Sequence, residues 1–302
     1  MGVNILLVNI GINSMAKEAT TTATATMANK HGDCGFISIL MPLYNGVEFL
    51  EKSVDSVFSQ TISPAIWQLV IGINGRHDTP ILKTVEQIIA NLRYKHKAGN
   101  GARFNVRILD YTTNPAIKGK SAALNAMVKD TNVEIAEGAP WNQWIALLDV
   151  DDIWLPDKLK TQIPFMFPAI IPPASASASA LVQMSRRAIK RAAYDVVGSQ
   201  CEYFGVRRGS PGIPTGDLMQ YNFFLGNPVI NSSAVIRREL AKWNSAHDGV
   251  EDYDLWLTLY KQRKRFYNCP EIMVMHRIHT SSAFNSKGNT GLVSGLLQQH
   301  RI

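Results

Sequence analysis

Mainly apolar runs of strand length at positions 36–43, 67–73, 104–109 and 144–148 alternate with longer segments, 47–60, 79–96 and 119–129. In the second of these segments Leu82, Val85, Ile88, Ile89 and Leu92 fall at helical spacing on one face. Strands buried on both faces read as continuous apolar runs, and amphipathic helices between them supply the cover. The pattern therefore predicts four parallel strands linked by three helices, an α/β architecture. Beyond Asp152 the rhythm changes. Residues 168–193 read as an insertion, a Pro and Ser/Ala linker followed by a short basic helix carrying Arg186, Arg187, Lys190 and Arg191, whose charges fit a solvated face. Further strands are predicted at 195–204 and 233–237, a helix from 251 to about 263, and a last strand at 272–276. Residues 1–35, with a Thr/Ala tract at 20–26 followed by Gly32, offer little to bury and are predicted to be a poorly ordered leader.

Composition narrows the class. At 302 residues, 46% hydrophobic and 18% charged, the chain is neither a disordered polymer nor a membrane bundle. Its net charge of +7 permits anionic partners. No nucleic-acid-binding motif and no aromatic interleaving of basic residues accompany that charge, so no nucleic-acid partner is expected. Cys34, Cys201 and Cys269 are scattered, without a CxxC pair, which indicates neither a disulfide framework nor a zinc cluster. Residues 3–12 are apolar but lack a basic leader and a small-residue cleavage site. The uncharged stretch 161–185 holds Pro164, Pro168, Pro172 and Pro173, which argues against a spanning helix. A cytoplasmic protein is expected, with peripheral membrane contact through this stretch left open.

In an open parallel sheet, ligands bind beyond the carboxyl ends of the strands, so the polar residues just after each run are the candidates for chemistry. They are Pro42, Tyr44, Asn45 and Gly46; Asn74, Gly75, Arg76, His77 and Asp78; Asn114, Lys118, Gly119, Lys120 and Ser121; and Asp149, Asp151 and Asp152. Three carboxylates where a buried strand emerges repel one another and call for a counter-ion, for which Mg²⁺ or Mn²⁺ with oxygen ligands is suited. A plainer alternative has one Asp capping the helix near Pro156 and the others solvated. Lys118 and Lys120 flank Gly119 at a helix start, an arrangement that suits a diphosphate and equally describes two solvated lysines. Tyr44 and Asn45 alone also read as a strand-ending turn. Glu251 and Asp252, by position, complement a helix macrodipole.

Three motifs in order change the balance. Phe36-Ile-Ser-Ile-Leu-Met-Pro-Leu-Tyr-Asn, then Ala146-Leu-Leu-Asp149-Val-Asp151-Asp152-Ile-Trp-Leu-Pro-Asp-Lys-Leu, then Glu251-Asp252-Tyr-Asp-Leu-Trp-Leu together resemble the nucleotide-sugar-dependent glycosyltransferases of family 2, over residues 36 to about 285. The resemblance implies a single Rossmann-like nucleotide-binding domain with a mixed, mainly parallel sheet, of the glycosyltransferase A type, over 36–302. Its donor-binding half would be 36–152 and its acceptor and catalytic half 194–285, with a tail at 286–302. It implies inverting transfer from a nucleoside diphosphate sugar, expected to be a UDP-sugar, to a hydroxyl of a glycan, lipid-linked or protein acceptor. Pro42, Tyr44 and Asn45 would meet the nucleobase and ribose, and Asn74 stands where the family usually has Asp. Lys118 and Lys120 would meet the diphosphate, with Leu124 where many relatives carry Arg. Asp151, Asp149 and His279 would hold the metal. Asp252 would be the catalytic base, with Glu251 and Asp254 as its alternatives. His276 and Arg277 belong to the same closing tail as His279, while Asn227, Pro228, Ser232 and Ser233 would line the acceptor side. Leu255, Trp256 and Leu259 are expected in the core, and the sequon at Asn231 is idle in a cytosolic protein. Asn74 and Leu124 also motivate a rival, a nucleotide-sugar-binding protein that has lost catalysis, and the net charge with the basic segment 186–191 motivates a less favoured one, a nucleic-acid-binding protein.

Overall fold

The computed structural model describes residues 4–6, 37–75, 80–100, 104–131, 144–166, 194–279 and 290–301. Its centre is the predicted set of parallel strands: β2 (Ile37–Leu43), β3 (Trp67–Ile73), β4 (Val106–Asp110) and β5 (Trp144–Leu147), ordered β4-β3-β2-β5. Every residue of β2, β3 and β5 is buried, as strands covered on both faces must be. Helices α1 (Val47–Phe58), α2 (Ile81–Asn100) and α3 (Gly119–Asp130) make the crossovers. The register aligns Ile37 with both Trp67 and Trp144, which brings the carboxyl ends of β2, β3 and β5 to one edge. Gly72 lets α3 lie close on that sheet, because a Cβ there would come within 2.5 Å of Met127 Sδ.

The second half extends the same sheet. It adds β6 (Ile153–Trp154), α4 (Lys158–Met166), β7 (Val196–Gly205), β8 (Gly216–Asp217), β9 (Val235–Arg237), α5 (Glu251–Lys261), β10 (Phe266–Ile278) and α6 (Thr290–Arg301). The order continues β5-β9-β7-β10-β6, and β8 pairs with the beginning of β10. Strand β9 is antiparallel to both neighbours while β7 and β10 run parallel, so the sheet is mixed and mainly parallel, as expected. Strand β10 starts at Phe266, six residues earlier than its apolar pattern suggests. It passes through Pro270 where the ladder with β7 shifts between Cys269 and Ile272, and an irregularity is where a strand tolerates a residue with no N–H.

A short strand β1 (Asn4–Leu6) pairs antiparallel with β4 at the far edge, although the sequence places these residues in a leader. The rest of 1–35 and the insertion at 168–193 lie outside the described residues. One core lies between the sheet and α1, α2 and α4, with Leu50, Val54, Val85 and Leu159 among its members. The other lies under α3, α5 and α6 and holds Leu124, Trp256, Leu257 and Leu296. Leu255, Trp256 and Leu259 are buried there as anticipated; truncating a residue like Trp256 costs about 3–5 kcal/mol. Among the described residues, no helix is long and apolar enough to cross a membrane.

Candidate active site

At the carboxyl edge, β2 runs out into Tyr44 and Asn45, both exposed, before Gly46 turns the chain into α1 with φ 81°. Pro42 is still inside the strand, buried opposite Gly72. The Tyr44 ring lies across Gly75, where a Cβ would sit 2.6 Å from it. Asn74 is wholly buried and donates its amide to the Gly119 carbonyl at 3.2 Å, tying the end of β3 to the start of α3. Arg76, His77 and Asp78 lie outside the described residues.

The start of α3 is built differently from its sequence reading. Its N-cap, Lys118, makes no side-chain cap. Asp248, which arrives from the other half of the chain, accepts the Ser121 N–H at 2.9 Å and the Ser121 hydroxyl on the same oxygen. A carboxylate there satisfies orphan amides and favours the positive end of the helix. Gly119, at φ 82°, leaves no room for anything more, since a Cβ would overlap the Asp248 carboxylate. The amide expected to serve a diphosphate therefore serves Asp248. Lys118 stays exposed, whereas Lys120 turns inward to Asp149 at 2.6 Å and Glu251 at 3.1 Å. Burial works against the Lys120 charge, but Asp149, Glu251 and Asp252 outweigh it and hold its pKa well above the ordinary lysine value.

Each of the three carboxylates after β5 has its own partners, which is how like charges coexist there. Asp149 accepts the Asn231 amide on both oxygens, at 3.1 and 3.0 Å, and donates its backbone N–H to Ser232 Oγ. Burial opposes its charge, yet Lys120 and Asn231 keep its pKa below the usual carboxylate range. Asp151 pairs with His279 Nε2 at 2.9 Å. Burial, then the charges of Asp152 and Asp149, push its pKa up. Asp152 is fully buried, accepts the Arg277 N–H at 2.8 Å and meets His276 Nδ1 at 2.9 Å. Burial would lower the His276 pKa, but the three carboxylates raise it to about 9. Arg277 gives its Nε to the Asp151 carbonyl and lies between Phe49 and Phe204, at 4.5 and 4.2 Å from their ring centres. Asp152 thus fastens the end of β10 to the loop after β5, and this fastening carries His279 to Asp151.

The first turn of α5 completes the edge. Glu251 accepts Lys120 and the Gly249 N–H, the latter at 2.7 Å. Asp254 is held by His247 and His300. Asp252 has a neutral partner, the Asn227 amide at 2.9 Å, whose orientation is set because its own carbonyl oxygen accepts the Val229 N–H. Burial and the adjacent Glu251 charge raise the Asp252 pKa to about 6, against the pull of Lys120. Lys120 therefore joins the acids after β5 to the acids of α5. The segment 227–233 does the same from the other side, with Asn227 on Asp252 and both Asn231 and Ser232 on Asp149. Pro228 and Ser233 instead spend their polar atoms on the scaffold, the Pro228 carbonyl on Asn268 and the Ser233 hydroxyl on the Ile230 carbonyl. Sequence reasoning missed Asp248, which follows no strand, and read Asn231 as an idle sequon.

The chain is similar to known glycosyltransferases. Residues 38–168 match the model of glycosyl transferase family 2. The chain is 26% identical over 254 residues to the UDP-Glc:alpha-D-GlcNAc-diphosphoundecaprenol beta-1,3-glucosyltransferase WfgD of Escherichia coli, covering 83% of this chain and 80% of that protein. It is 31% identical over 135 residues to an uncharacterized glycosyltransferase of Methanocaldococcus jannaschii, covering 44% of this chain and 38% of that one. Among solved structures, S. aureus TarS in complex with UDP superposes with a TM-score of 0.56 at 16% identity, covering 88% of this chain. The alignment spans 65% of the TarS chain, just under two thirds. The same protein in complex with UDP-GlcNAc gives a TM-score of 0.55 at 15% identity, over 88% of this chain and 66% of that one. The likeness to TarS identifies the fold as the glycosyltransferase A type. With that fold and the ordered acidic motifs at one sheet edge, the chain is similar to glycosyl transferase family 2 over its donor-side half, residues 38–168.

Proposed function

We propose that this enzyme moves a sugar from a nucleoside diphosphate donor of the UDP type to an acceptor hydroxyl with inversion, and that Asp252 is its general base. The observation that carries the assignment is the division of partners in the first turn of α5. Glu251 is committed to an ammonium group and Asp254 to two histidines, whereas Asp252 meets a neutral amide and has its pKa raised to about 6. A base close to neutrality is ionised at physiological pH and still takes a proton readily. In-line attack with inversion needs one such carboxylate on the acceptor side.

The other groups have matching tasks. Tyr44 offers an exposed ring beside Gly75 for the base, and Asn45 a polar side chain for the ribose. Asn74 acts behind them by holding Gly119 in place. Lys118, exposed at the start of α3, is a cation available to the diphosphate, while Lys120 orients Asp149 and Glu251. Asp151 and His279 fit a divalent cation: their facing Oδ2 and Nε2 are the donor types Mn²⁺ accepts, and burial among acids leaves Asp151 in need of positive charge. Asp149, engaged by Lys120 and Asn231, is at most a secondary ligand, and no cluster of three or more metal-binding side chains occurs among the described residues. A cation held there would supply positive charge to the departing diphosphate. UDP-type donors are supported by the UDP-sugar in the name of WfgD and by the UDP and UDP-GlcNAc complexes of TarS. The lipid-diphosphate acceptor in the name of WfgD supports a lipid-linked acceptor here, reached by peripheral membrane contact.

The test is Asp252→Asn, which keeps size and the contact with Asn227 but removes the basic oxygen. UDP binding by calorimetry in Mn²⁺ should be unchanged, while UDP release from a panel of UDP-sugars should fall about 10²- to 10⁴-fold. Near-normal turnover would overturn the assignment of Asp252, and equal UDP affinity in Mn²⁺ and in EDTA would overturn that of the metal.

A further inference from the structure

Asp254 lies two positions beyond Asp252, and at about 100° per residue its side chain leaves α5 about 200° away, on the side opposite the proposed base. Its carboxylate is buried there, a position that demands a partner for each oxygen. Oδ2 meets His247 Nδ1 at 3.0 Å and Oδ1 meets His300 Nε2 at 2.6 Å. His247 closes the 3-10 turn Ser245–His247 just before the catalytic segment, whereas His300 belongs to the last turn of α6. The His300 carbonyl also accepts Lys261 Nζ at 3.0 Å, so one residue of α6 touches both the first and the last turn of α5. Helix α6 is itself fixed by Leu296, buried in the same core as Trp256 and Leu257.

Helix α5 needs such an anchor. Its N-cap is Val250, which has no side-chain oxygen to hold the first-turn amides, so the orientation of that turn depends on what its own side chains reach. We propose that Asp254, His247 and His300 form a positioning clamp through which the C-terminal helix sets the rotation of the first turn of α5, and with it the aim of the Asp252 carboxylate. The inference rests on Asp252 being the base; His247 and His300 act through Asp254 and touch no substrate. A base displaced by about 1 Å loses much of its effect, on the order of 10²-fold, which gives the clamp its catalytic consequence.

The experiment compares the full chain with His300→Ala and His300→Gln by hydrogen exchange over residues 248–258 and by UDP release from UDP-glucose. His300→Ala should exchange at least about tenfold faster in the first turn of α5, with β2 unaffected, and lower kcat at least about tenfold at unchanged donor KM. Glutamine, whose amide can donate from nearly the same place, should restore most of both. If His300→Ala does not fold, Asp254→Asn, which turns an amide N–H₂ toward one of the two rings, supplies the same comparison. Unaltered exchange in the first turn, or faster exchange with unaltered kcat, overturns the clamp. A wild-type protein that releases no UDP would count against the reading of Asp252, while the exchange comparison would still decide the clamp.

Discussion

Gly119→Ala probes the junction on which the site is assembled. At φ 82° an alanine costs about 1–2 kcal/mol in backbone energy alone. Its Cβ would also overlap the Asp248 carboxylate, driving that side chain off the start of α3 and forfeiting a cap worth about 1 kcal/mol. The expected loss is about 2–3 kcal/mol, measured as a shift of the urea midpoint with the slope unchanged. Gly212→Ala is the internal control. Gly212 also has positive φ, 66°, but a Cβ there meets nothing, so only the backbone part should be lost. Placed in an Asp248→Ala background, Gly119→Ala should cost about as little as the control, giving a coupling of roughly 1 kcal/mol in the double-mutant cycle. A loss below about 0.5 kcal/mol, or strict additivity with Asp248→Ala, would refute the capping role of Asp248.

The pH dependence of turnover follows from Asp252. Under the proposal that Asp252 is the base its ionised form is required, and its pKa is raised to about 6, so log kcat should be flat above that pH and fall with unit slope below it; a limb near pH 4 would show a carboxylate outside this environment. Stability has a separate signature at Lys158, which is fully buried against Gln162 and the Trp154 ring and has its pKa pushed down to about 7 by burial. The unfolded chain then binds more protons between about pH 7 and 10.5, so stability should rise with pH across that window. Lys158→Met should abolish the rise and stabilise the protein at pH 7, and identical pH slopes in chemical unfolding would refute the idea.

The central strands were legible because burial on both faces is a local property: apart from Gln68, which bonds to Ser38, each residue of β2 and β3 is apolar or small for the same reason, and a run of that length suffices to show it. The acids were legible too, since Asp149, Asp151 and Asp152 follow a strand end and Asp252 opens a helix, places marked by changes in hydrophobic period. Their division of labour was not. Lys118 and Lys120 are indistinguishable along the chain, yet one is exposed and the other neutralises two acids, because α3 meets α5 only after the sheet is built. Asp248 lies 127 residues from the Ser121 amide it caps, and His300 lies 46 residues from Asp254. Such pairs leave no periodic trace, because either partner alone reads as an ordinary surface polar residue. The antiparallel insertion of β9 between β5 and β7 likewise depends on which strand edge remains unpaired after folding, a long-range competition that a three-residue strand cannot announce. Local hydrophobic order thus sets which segments become strands and helices, whereas register and packing choose which polar groups meet, since charge partners are selected by distance in space and not along the chain.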